Sequence, residues 1–184
     1  MLYTRAGDNG TTKTFGCDQR ISKSSLIAEA LGSLDETNSF LGLCKIKAGE
    51  KKLSLPSGGS IQKVIHNAQK NLFIVQAELA GSEMSLDESK VKEIEEIIDA
   101  IEKELPPIKS FFISGGTEMA SLFDVARTIS RRAERRTVEV KEEGKRDLGQ
   151  FTKAYLNRLS SLLYALARWS NFKSGIEEES PDYK

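Results

Sequence analysis

Apolar residues recur at three- and four-residue intervals through five separate stretches of this chain, and no stretch alternates convincingly with the period of two that marks a strand. In the first, 26 to 47, Ile27, Leu31, Leu34 and Leu41 share one face, and Ser24 or Ser25 is placed to cap the helix. Ile61, Val64, Ile65, Leu72, Val75 and Leu79 mark a second helix, ended by Gly81. Ser85 and Glu88 have capping-box spacing ahead of a third, whose buried face is Val91, Ile94, Ile98 and Ile101 and whose stop is Pro106-Pro107. A fourth helix, 118 to 141, turns Leu122, Val125, Ile129 and Ala133 inward. A fifth, 148 to 173, buries Leu156, Leu159, Leu163 and Leu166 and closes at Gly175. The remaining segments lack a period. Residues 1 to 23 read as loop, 49 to 60 as a mobile turn-rich connection, and 176 to 184 as a frayed acidic tail. Five amphipathic helices without an internal repeat predict an all-α, up-and-down bundle, a single domain spanning residues 1 to 184.

Composition narrows the function. The 27 basic and 27 acidic side chains cancel, which argues against a general nucleic-acid or membrane binder. No apolar run approaches membrane-spanning length and no secretory signal opens the chain, so a cytoplasmic location is expected. Cys17 and Cys44 lack metal-ligand spacing and read as reduced thiols. His66, the only histidine, lies on a polar part of the second helix, so His-based acid–base chemistry is not expected. A ferritin-like metal bundle needs a pair of Glu-x-x-His motifs, which one histidine cannot supply.

Charge is concentrated in one place. Arg127, Arg131, Arg132, Arg135 and Arg136 fall within ten residues of the fourth helix, and Arg127, Arg131 and Arg135, four apart, line one face. Like charges at that spacing cost an isolated helix a few tenths of a kcal/mol per pair. Two readings follow: a polyphosphate gripped in forked guanidinium geometry, or a solvated face paired with neighbouring acids. Three other segments invite the same question. Thr4 to Thr12 (TRAGDNGTT) offers glycines, hydroxyls and an arginine suited to cradling phosphate, or is simply a floppy terminus, and it is not a P-loop. Asp35, beside Leu34 on the first helix, is either partly buried and in need of a cation or merely exposed. Asn157, inside the fifth helix, either points to water or meets a phosphate held by the arginines.

Taken together, these segments resemble the PduO-type ATP:cob(I)alamin adenosyltransferases, the corrinoid adenosyltransferases. The matching residues are YTRAGDNGTT at 3 to 12, Lys23 after Phe15-Gly16, ALGSLDETNS at 30 to 39, FFISGG at 111 to 116, ARTISRRAERR at 126 to 136 and YLNRLSSLLYALAR at 155 to 168. They follow the family's order and span nearly the whole chain. The resemblance implies a ferritin-like five-helix bundle assembled as a homotrimer with active sites between subunits. It implies transfer of the 5′-deoxyadenosyl group of ATP, with Mg2+, to cob(I)alamin, giving adenosylcobalamin and triphosphate. It places ATP against Thr4, Arg5, Ala6, Gly7, Thr12, Lys23, Arg131, Arg132, Ala133, Glu134, Arg135 and Asn157. Asp35 and Arg127 resemble an inter-subunit ion pair beside the corrinoid, and Phe111 the aromatic residue closing its lower face; these two positions and Phe111 join Arg131 as the residues expected to serve catalysis. A corrinoid reductase and an adenosylcobalamin-dependent enzyme are the implied protein partners.

The chain departs from that pattern in places. Ala6 stands where Thr or Ser is common, and Ser161 where many members carry Asp. Ser114 replaces a Pro and Phe112 an aliphatic residue, which leaves the lower-face aromatic as Phe111 or Phe112. A non-catalytic ATP or corrinoid sensor or chaperone is the competing expectation.

Overall fold

The computed structural model of the chain describes residues 2–14 and 19–183. Phe15, Gly16 and Cys17 lie outside them. Five helices form the body: α1 (Leu26–Lys51), α2 (Ile61–Ala80), α3 (Glu88–Glu104), α4 (Glu118–Glu142) and α5 (Gln150–Lys173). They are preceded by a small antiparallel hairpin of β1 (Thr11–Lys13) and β2 (Arg20–Ser22), in which Thr12 pairs with Ile21. The hairpin corrects the all-loop reading of the N-terminus; three-residue strands are too short to show alternation.

Local signals account for most helix ends. The Ser25, Ser60 and Thr117 side chains accept the N–H groups of Ala28, Lys63 and Ala120. Gly81, at φ 109°, takes the left-handed cap that closes α2. α3 is capped by Asp87, which accepts the Ser89 N–H at 2.8 Å, and not by the expected Ser85–Glu88 box. The segment before it is held elsewhere, because the Leu86 N–H donates to Thr152 of α5. α1 continues four residues past the expected Lys47, since Ala48 is buried and Lys52 supplies a left-handed cap.

The core is one continuous cluster drawn from all five helices, with Leu34, Leu41, Ile65, Leu72, Phe123, Leu159 and Leu163 fully enclosed. α4 packs between α1 and α5, α2 lies against α1, and α3 lies against α5, so spatial order differs from chain order. The inward face of α4 is Phe123, Ala126, Ser130, Ala133 and Thr137. Val125 is off that row and 45% exposed, contrary to expectation. The small residues of this face allow close approach of α1 and α5, and this fixes where the arginines on the flanks of α4 emerge.

Two segments expected to be loose are instead tied down. In the 52–60 connection, Leu55 is buried and the Trp169 indole N–H donates to the Ser54 carbonyl at 2.9 Å. In the C-terminal tail, Glu178 pairs with Arg168 and the Glu179 carbonyl accepts the Ile113 N–H at 2.8 Å. The first tie comes from α5, far along the chain, and the second from α5 and the 108–115 loop, partners that local composition does not reveal.

Candidate functional site

The arginines of α4 divide by what meets them. Arg132 pairs with Glu36 of α1. Arg136 pairs with Glu29 of α1 at 3.6 Å and with Glu139 at 2.9 Å. Both therefore have acidic partners within this chain. Arg127 is half-buried, 3.6 Å from Asp124, with its guanidinium 5.8 Å from the centre of the Tyr164 ring. Its Nε is buried without a hydrogen-bond acceptor. Among the described residues, neither Arg131 nor Arg135 has an ion-pair or hydrogen-bond partner, and both side chains are exposed. Ala133 is buried in the core, so its side chain cannot reach a ligand on this surface.

Arg127 and Arg131 open onto a cavity of about 590 Å³ between α4, α5 and the 108–115 loop. That volume suits a sizeable organic ligand. Phe111 and Phe112 form its lip, and Tyr164 lines its wall. Burial pushes the Tyr164 phenol up, with the nearby Arg168 charge opposing. Phe111 is 80% exposed, whereas Phe112 is half-buried under the Arg168 guanidinium, 5.2 Å from its ring centre. Gly115 and Gly116 turn the chain back into α4 at φ 127° and 97°. A Cβ at Gly116 would come within 2.6 Å of Asn171, so only glycine fits. Asn171 in turn accepts the Thr117 N–H and donates to the Gly115 carbonyl.

Asn157 reaches the arginine helix through Glu134: its amide donates to that carboxylate at 3.0 Å. Arg158 donates to Asn157 at 2.7 Å and to Glu95 of α3 at 2.8 Å, which fixes the amide orientation.

The N-terminal loop is organised by its own backbone and hairpin. Asp8 and Gly10 N–H groups donate to the Arg5 and Gly7 carbonyls, and the Lys23 N–H donates to Gly10. A Cβ on Gly7 would lie 3.1 Å from Lys23 Nζ and 3.2 Å from the Thr11 carbonyl, so the loop folds back to bring Gly7 and Lys23 together. Arg5 holds a left-handed conformation at φ 59°, a strained choice for a non-glycine residue. Its guanidinium lies over Tyr3. Ala6 donates its N–H to Thr4 Oγ1, and Thr12 is half-buried in β1. None of these residues lines the α4–α5 cavity of the same chain. Asp35 is exposed, not partly buried, because the helical turn that buries Leu34 rotates its neighbour outward; it has no partner among the described residues.

Several residues of this region carried no clear sequence signal: Asp124, Tyr164, Arg168, Asn171 and Glu178 all line the cavity. Arg168, a lone charge within the apolar run YALARW, was the one legible clue. Among the described residues no group of three or more His, Cys, Asp or Glu side chains could hold a metal, and no helix is long and apolar enough to cross a membrane.

On this five-helix bundle, guanidinium groups without partners among the described residues stand beside an aromatic-lipped cavity. The model of the family described as cobalamin adenosyltransferase matches residues 2–170, and the chain belongs to that family. It is 37% identical over 179 residues to a corrinoid adenosyltransferase of Bacillus subtilis (strain 168), covering 95% of this chain and 89% of that one. It is 41% identical over 174 residues to the corrinoid adenosyltransferase PduO of Citrobacter freundii, covering 91% of this chain but only 49% of that protein, so it spans about half the length of that relative. A second corrinoid adenosyltransferase of Citrobacter freundii is 35% identical, with 98% of this chain and 97% of that one covered. Among solved structures, a variant PduO-type ATP:corrinoid adenosyltransferase from Lactobacillus reuteri complexed with cobalamin and ATP superposes with a TM-score of 0.87 at 29% identity, covering 100% of this chain and 97% of that one.

Proposed function

We propose that this chain transfers the 5′-deoxyadenosyl group of ATP to the cobalt of cob(I)alamin, releasing triphosphate and forming adenosylcobalamin. Arg131 carries this reading: a guanidinium without a partner among the described residues, at the edge of the aromatic-lipped cavity, on a helix whose Arg132 and Arg136 are paired with acids. Cobalt(I) supplies both electrons of the new cobalt–carbon bond, and the bond from C5′ to the phosphate oxygen breaks. The leaving triphosphate takes up the charge, and Arg131 and Arg135 are free to stabilise it. The chemistry resides in the corrinoid, so the protein needs to position and shield the reactants but not to supply a nucleophile.

ATP binds between the N-terminal loop, with Thr4, Arg5, Ala6, Gly7, Thr12 and Lys23, and the α4–α5 surface of Arg131, Arg132, Glu134, Arg135 and Asn157. Mg2+ accompanies the phosphates. The corrinoid occupies the cavity, with Phe111 against its lower face and Arg127 at its edge. The active unit is a homotrimer, in which the N-terminal loop and Asp35 of one subunit complete the cavity of the next. Two observations support this assembly: none of the described N-terminal loop residues lines the cavity, and Asp35 lacks a partner among the described residues. The chain acts as one domain in the cytoplasm, downstream of a corrinoid reductase and upstream of an adenosylcobalamin-dependent enzyme. The test is anaerobic: cobalamin reduced to cobalt(I), protein and Mg-ATP are mixed, and the spectrum is followed for the light-sensitive cobalt–carbon bond. ATP and corrinoid binding without that bond indicates a sensor or chaperone.

A further inference from the structure

The C-terminal segment makes contacts that adenosyl transfer does not by itself require. Arg168 lies in the apolar stretch of α5 with its side chain 6% exposed, and Glu178, its partner, is 18% exposed. A guanidinium buried this deeply needs its donors answered. Its Nε donates to both oxygens of Glu178, at 3.0 and 2.8 Å, and its Nη2 donates to the Pro106 carbonyl at 3.0 Å. Its face covers the Phe112 ring. One side chain thus joins α5, the tail, the end of α3 and the aromatic lip. Two further links run from tail to lip: the Ile113 N–H donates to the Glu179 carbonyl at 2.8 Å, and the Ser110 and Ser180 hydroxyls are 2.6 Å apart. With Phe112 held inward by Arg168, Phe111 is left exposed at the mouth of the cavity.

We infer that Arg168 and Glu178 are positioning residues, through which the C-terminal segment straps the 108–115 loop in the single register that presents Phe111, and not Phe112, to the corrinoid. This rests on the adenosyltransferase reading of the cavity. A loop holding an aromatic side chain in solvent has little burial of its own to fix it, so its register must come from polar ties. The strap supplies them from a segment outside the helical bundle.

The experiment uses full-length Glu178→Ala and Glu178→Gln, chosen because Glu178 lies in the segment after α5 and its substitution removes no side chain of the apolar core. Amide exchange across 108–115, the KM values for corrinoid and ATP, and the melting temperature are measured together. In Glu178→Ala, exchange at Ile113 is expected to accelerate by about tenfold or more, and the corrinoid KM to rise by about tenfold. The ATP KM stays within about twofold of wild type. Glu178→Gln, which still offers a carbonyl oxygen to Arg168 Nε, falls between the two. Unchanged exchange with an unchanged corrinoid KM overturns the strap. So does a parallel rise in both KM values, which marks a general structural role. If wild-type protein forms no cobalt–carbon bond, the functional reading fails separately, and the exchange result still decides whether the tail holds the loop.

Discussion

Arg131→Ala separates the two roles that arginine plays on α4. In the free chain Arg131 is exposed and unpaired among the described residues, so removing it breaks no native contact and stability should change by no more than about 0.5 kcal/mol. In the complex it would make charge-assisted, forked contacts to triphosphate in a site closed to water. Losing one such contact costs about 1.5–3 kcal/mol, which is roughly 10- to 150-fold in kcat/KM. Arg136 provides the contrast. It is 42% exposed and answered by Glu29 and Glu139, so Arg136→Ala should cost about 0–1 kcal/mol of stability and leave transfer intact. The assay is anaerobic turnover of ATP with cob(I)alamin, with ATP affinity by calorimetry and thermal melting on the same preparations. Arg131→Lys keeps the charge but not the fork and should recover only part of the loss. Wild-type kinetics in Arg131→Ala, or an equal loss in Arg136→Ala, would refute the division of the arginines and with it the placement of the triphosphate.

Phe111→Ala should still bind cobalamin but show less four-coordinate cobalt(II) by electron paramagnetic resonance; a defect in Phe112→Ala alone would move the lower-face residue by one. Asp35→Asn and Arg127→Ala should each weaken the trimer and raise the corrinoid KM more than the ATP Kd, and the swap Asp35→Arg with Arg127→Asp should restore part of the assembly; sedimentation of a monomeric wild type, or strictly additive effects, would remove the pair. Glu78 accepts the Gly149 N–H at 2.6 Å and the Thr152 hydroxyl at 2.5 Å at the start of α5, so Glu78→Ala should destabilise by about 1–3 kcal/mol for each group left unanswered, read as a fall in Tm of several degrees with ATP affinity unchanged. Burial pushes the Cys44 thiol up to about 12, above its ordinary value, so near neutral pH it stays protonated, and iodoacetamide should modify it only after unfolding; rapid labelling of the native protein, located by peptide mass, would contradict its burial.

Much of this protein was legible in its local sequence. The three-and-four spacing of Ile61, Ile65, Leu72 and Leu79 gives a helix wherever one apolar face can be covered, and Ser25, one of two candidate caps, and Gly81 mark ends by chemistry that acts within a turn. The ordered motifs from TRAGDNG to RRAER and LNRLS carried the family. What local spacing could not reveal was which charge meets which. Arg131 and Arg132 are adjacent and chemically identical, yet only tertiary packing puts Glu36 of α1 opposite Arg132 and leaves Arg131 at an open cavity. The same holds for Val125, turned outward because Phe123, Ala126 and Ser130 own the contact with α1 and α5, and for Asp35, exposed although it follows Leu34. It holds most of all for the tail, read as frayed, whose Glu178 meets Arg168, ten residues before it and buried with its guanidinium over Phe112. Periodicity reports the covered face of a helix because covering is a local demand of every turn. Ion pairs, loop register and the walls of a cavity depend on the distance between segments remote in the chain, and that distance exists only once the helices have packed.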